Sequence, residues 1–205
     1  MLKEKMKDYK DEIKLYRKSV PIMKTAENKI LQAKSVITKK SNKLESLTGV
    51  VKSNRSTSYN NNPSSNYALE NENDTLQHAI DELNSEVNLI DDSIVAARST
   101  LGELRTKPST PDIRRNISFY QRKIGKYKQD LDSKEREIKN KNQKIDSNKD
   151  KIKLNTTLIN TYQKELDAAQ KIVSDNEAII SDWTMQLKST PHKIDFNSVS
   201  MLMNE

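Results

Sequence analysis

The chain has 205 residues, 33% hydrophobic and 32% charged, with a net charge of +7, two histidines and no cysteine. That apolar share is too small for an ordinary compact globule, which is nearer half apolar. The missing cysteine excludes disulfides and thiolate chemistry, and no run of about 18 apolar residues is present to span a membrane.

Three glycines and five prolines amid many Lys, Glu, Leu and Ile leave two options, long helices or disorder. Periodicity decides between them. The first stretch, MLKEKMKDYKDEIK, is charged throughout and lacks the apolar core of a signal peptide. The expected location is therefore intracellular and cytoplasmic, with export lacking a cleaved signal as the other route.

In the first segment Leu2, Tyr9, Tyr16, Met23, Ile30, Ile37, Leu44 and Val51 recur every seven residues. Before Pro21 their companions are Met6, Ile13 and Val20, four residues on. After it they are Ala26, Ala33, Lys40 and Leu47, three residues on. The seam is expected to change side at Pro21, because an internal proline removes a hydrogen bond and kinks a helix. The prediction is one kinked helix, or two, over 1–52. The polar, Asn- and Ser-rich stretch 53–66 reads as a flexible linker.

The second segment is the most regular. Leu69, Asn73, Leu76, Ile80, Leu83, Val87, Ile90, Ile94, Ala97, Leu101 and Leu104 alternate steps of four and three, predicting helix over about 67–105. TKPSTP, residues 106–111, forms the stop and the turn. Thr110-Pro111-Asp112 then starts the third helix: an N-cap hydroxyl, proline in the first turn and an acid at the positive dipole end.

That third helix is predicted over about 111–188, roughly 115 Å at 1.5 Å per residue. Its seam is Ile117, Ile124, Leu131, Ile138, Ile145, Ile152, Ile159, Leu166, Val173, Ile180 and Leu187, all seven apart. The companion row is mixed, with Tyr120, Lys134, Asn148, Asn155, Ala169, Asn176 and Trp183 among its members. The tail 189–205 reads as disordered, with Phe196, Val199, Met201, Leu202 and Met203 as a small apolar cluster.

Charge is segregated. Residues 1–66 carry +9, 67–106 carry −7, 107–153 carry +8, 154–190 carry −2 and the remainder −1. An acidic second helix between two basic ones favours side-by-side packing, and interleaved pairs such as Glu135–Lys139 suit a solvated helix face. This disfavours nucleic acid, which requires a free basic face. A short turn makes the second and third helices an antiparallel hairpin over 67–153. Two registers place the turn sensibly. One sets Asn73 against Lys141; the other, preferred, joins the two amides of Asn73 and Asn148.

The resulting expectation is an all-α, elongated, antiparallel coiled-coil bundle of three long helices. The first returns along the hairpin, and the third projects beyond the others as a distal coiled-coil or oligomerisation segment, 154–188. Leu158, Ile159, Tyr162, Leu166, Ile172, Val173, Ile179, Ile180, Trp183 and Leu187 form its partner interface, because a bare apolar stripe is costly in water.

No enzymatic chemistry is expected. His78 falls on an outward position, His192 lies in the tail, and two isolated histidines make no zinc set. Gly49, Gly102 and Gly125 stand alone, so no phosphate loop exists, and no cofactor is expected. The repeated Ser-Thr-Pro at 109–111 and 189–191 reads as helix punctuation; phosphorylation of Thr190 by a proline-directed kinase is the sharper alternative. The expected function is that of a coiled-coil structural or adaptor protein, assembling with itself or with a protein partner. Three long helices and net positive charge are also the architecture of BAR domains, so a membrane-surface module is the alternative, by analogy of fold alone.

Overall fold

The computed structural model describes residues 2–52, 57–60 and 62–190. Its elements are α1 (Leu2–Thr48), β1 (Val50–Lys52), β2 (Thr57–Tyr59), α2 (Asn66–Thr106) and α3 (Pro111–Lys188). The architecture is an all-α bundle in which α1 and α2 each pack on α3. It divides into two compact units. One joins α1, to Ser46, with α3 from Thr157; the other spans Leu47–Thr156.

The second unit is the antiparallel hairpin. Ser65 caps α2, its hydroxyl accepting from the Ala68 amide at 3.3 Å, and the Lys107 amide closes the other end on the Leu104 carbonyl. Thr110 caps α3 as the sequence suggests, accepting from the Ile113 amide at 3.2 Å. The regular seam of α2 is the hairpin's core: Leu69, Ile80, Leu83, Ile94, Ala97, Leu101 and Leu104 are buried. Asn148 Nδ2 donates to Asn73 Oδ1 at 3.0 Å and to Glu72 Oε2 at 2.9 Å. The hairpin therefore adopts the register that joins the two amides, not the one that sets Asn73 against Lys141.

The connection from α1 to α2, expected as a flexible linker over 53–66, contains a short ribbon among its described residues. Gly49 leaves α1 with φ +79°, a left-handed conformation suited to glycine. β1 and β2 then form an antiparallel ribbon with Val50 opposite Tyr59. Tyr59 stacks on Tyr67 at the start of α2, ring centroids 3.9 Å apart. Asn155 of α3 donates to the Ser64 carbonyl and to Asn66 Oδ1, holding the α2 entry. Residues 53–56 and 61 of this connection, and the tail from 191 on, lie outside the described residues, as does the expected apolar cluster 196–203.

The first unit corrects two expectations. The last part of α3 does not project alone, because α1 lies antiparallel along it. Tyr16 and Met23 form a cluster with Leu187, against which Ile180 and Trp183 pack, while Lys34 pairs with Glu177 and Lys40 with Glu165. Charge is matched here too, since residues 1–66 are strongly basic and 154–190 mildly acidic.

Nor does the seam change side at Pro21, which stands inside the single helix α1. Glu12, Ser19, Ala26 and Ala33, seven apart, are all buried, whereas the aliphatic Met6 and Ile13 are 56% and 46% exposed. A helix that continues through its proline keeps its buried face in phase. Packing geometry then decides which residues are covered, even where the covered ones are polar.

Candidate interaction surface

The expected interface residues separate into two groups. Leu166 and Leu187 are buried, and Leu158, Ile159, Tyr162, Val173, Ile180 and Trp183 are half-buried. Their cover includes α1: Lys40 and Lys43 lie over the Tyr162 ring at 4.5 and 5.3 Å, and Lys18 lies 5.7 Å from the Trp183 ring centroid. Most of the stripe is thus satisfied within the chain. Ile172 and Ile179 remain 44% and 38% exposed.

These two belong to a second row, one residue before the seam positions Val173 and Ile180. α1 carries the matching row: Leu15, Ile22 and Val36 precede Tyr16, Met23 and Ile37. In an antiparallel pair both rows fall on the same side, and the grooves there confirm it. One groove of about 630 Å³ is lined by Lys29, Ala33, Val36, Ala169 and Ile172, among others. A smaller one is lined by Pro21, Ile22, Ala26 and Ile179 among others. Small side chains at 26, 33, 168 and 169 keep the surface low between the flanking aliphatics.

The opposite side of the pair is mostly polar over the same length, with Val20 and the exposed Leu31 as its aliphatic members. Glu27, Lys34 and Ser41 of α1 and Gln163, Gln170 and Glu177 of α3 are all polar, and Lys34 pairs with Glu177 across it at 3.9 Å. The unit therefore has one side that is more apolar than the other. Leu15, Ile22 and Val36 were missed in the sequence. The signal was present in their seven-residue spacing, but Lys29 interrupts the row and the pairing of α1 with residues 157–188 was not foreseen.

His78 is exposed on α2, as expected, and His192 lies outside the described residues. Among the described residues no three or more His, Asp or Glu side chains are placed to hold a metal ion. The Lys134 amine is held above the usual lysine range. The cause is its hydrogen bond to Glu86, opposed by burial and reinforced by the charges of Glu86, Glu137 and Asp130. This is an ion pair across the hairpin, 2.5 Å long. At the end of α3 the Ser189 and Thr190 hydroxyls donate to the carbonyls of Gln186 and Leu187, each at 2.7 Å, the geometry of helix termination.

Compared with family models, with curated proteins and with solved structures, the chain matches none.

Proposed function

We propose that this chain is a non-enzymatic structural or adaptor protein. It assembles through the apolar side of its α1–α3 pair. One observation carries the reading: a two-helix pair exposes Val36, Ile172 and Ile179 together on one side, at 39%, 44% and 38%, while its other side is mostly polar. A helix pair with two apolar rows rather than one fits a bundle of more than two helices, because each added helix covers a further row.

The basic segments give less support to a membrane-surface role. Several of their lysines are engaged: Lys134 with Glu86, Lys141 with Glu137 and Lys144 with Glu72. An anionic membrane requires such charges to be free.

A photo-reactive residue placed at Ile172 and, separately, at Lys34 tests the surface. Both positions are exposed, on opposite sides of one helix pair. Cross-linked products from position 172 and none from 34 are expected; equal yields from both sides would reject the reading.

A further inference from the structure

The same apolar side suggests its own occupant. Lys29 of α1 and Asp175 of α3 line one groove, and Ile22 and Ile179 line the next. Each of these pairs sits at one level of the helix pair, on opposite helices. Among the described residues neither Lys29 nor Asp175 has an ion-pair partner, although Lys34, Lys40, Glu165 and Glu177 of the same helices do.

We infer that a second copy of this chain covers the apolar side, giving an antiparallel four-helix arrangement of two α1–α3 pairs. The inference rests on the proposed function and names its partner.

The geometry follows from symmetry. A twofold axis parallel to the helices keeps every residue at its level and exchanges the two helices across the interface. α1 then faces α3 of the second copy, and the two run antiparallel. Ile22 meets Ile179 of the second copy, and Lys29 meets Asp175 of the second copy. A twofold axis across the helices would instead set α1 against α1, bringing Lys29 towards its own symmetry mate. The charge pattern is therefore self-complementary for one orientation and repulsive for the other.

The size is adequate. The strip from Leu15 to Val36 is roughly 32 Å long and two helix diameters, about 20 Å, across, so two copies hide about 1,300 Å², within the range of stable interfaces. Ala26 near its middle, and Ala33, Ala168 and Ala169 towards its Val36 end, allow the backbones to approach.

Sedimentation of the intact chain at micromolar concentration tests this. The wild type is expected to be a dimer. The double substitution Ile172→Asp with Ile179→Asp is expected to be a monomer with unchanged far-ultraviolet circular dichroism. Lys29→Asp and Asp175→Lys should each weaken the dimer several-fold, and mixing the two variants should restore it as a heterodimer, because both interface pairs are then attractive. A purely intrachain role for these residues gives no rescue on mixing. A wild-type monomer, or variants that associate no better mixed than apart, would overturn the second copy. If the wild type is a monomer yet position 172 still cross-links to another protein and 34 does not, only this inference falls. If cross-linking shows no preference, the proposed surface falls as well.

Discussion

Asn148 is fully buried, yet only its Nδ2 is served; its Oδ1 accepts no hydrogen bond among the described residues. Its partner amide, Asn73, sits in the most regular seam of the chain. Removing Asn148 takes this hydrogen bond from the half-buried Asn73 and leaves a gap in the hairpin core. Asn148→Ala is therefore expected to destabilise the protein by about 1–3 kcal/mol in urea denaturation. Replacing both by leucine should recover that loss or exceed it, while loosening the register that the amides fix. Gly49 is a second point of residue-level constraint. A Cβ there would lie 2.5 Å from Ser65 Oγ and 2.9 Å from Tyr67 Cβ, at φ +79°. Gly49→Ala combines a left-handed strain of about 1–2 kcal/mol with that clash, and lowers the melting temperature accordingly. The Lys134–Glu86 pair has a pH signature. A lysine raised above its ordinary value contributes its stability fully below that value and loses it as pH climbs through the folded one. The difference in melting temperature between wild type and Glu86→Gln should be present at neutral pH and vanish above the lysine range.

At the level of elements, α1 poses the main question, because it contains a proline twenty residues from its start and stays one helix. Pro21 supplies no amide to the Arg17 carbonyl, and Thr25 Oγ1 donates to the Pro21 carbonyl at 2.7 Å. Pro21 is exposed, so alanine fits without a new contact. Pro21→Ala is expected to raise stability by up to about 3 kcal/mol, read as a higher thermal midpoint. A lower midpoint would mean that Pro21 itself helps to place Tyr16 and Met23 against Leu187. The amphipathic pattern of α2 and the capping signals at Thr110 translated directly into structure, because they are local. The pattern of α1 before Pro21 did not. Its aliphatic Met6 and Ile13 suggested one face, and packing buried Glu12 and Ser19 instead. The ribbon at 50–52 and 57–59 was also illegible. Three-residue strands carry too little periodicity to read, and their pairing depends on Gly49 turning the chain.

For the whole molecule, each stretch of α3 has its own partner: α2 on the earlier part, α1 on the later. Deleting residues 1–46 therefore uncovers Tyr162, Leu166, Ile180, Trp183 and Leu187 together. The shortened chain is expected to aggregate, and the emission of Trp183, the only tryptophan, should shift to longer wavelength. Light scattering and fluorescence check both. The same logic explains why point changes at Ile172 and Ile179 probe assembly better than removal of the end of α3, which would strip α1 of its cover.

The seven-residue spacing of aliphatic side chains in so polar a chain determined by itself that the fold is helical and where α2 and α3 begin and end, and it narrowed the hairpin to two registers, of which the structure adopts the one joining Asn73 to Asn148. These properties depend on nearest neighbours along a helix and on one short turn. Only the tertiary structure decided that α1 covers the later part of α3, and therefore which of ten candidate interface residues stay exposed. A heptad states that a face must be covered but not by what. Several helices with the same repeat can satisfy it, and the choice rests on connection length, charge and the fit of side chains across the pair, none of which one helix carries alone.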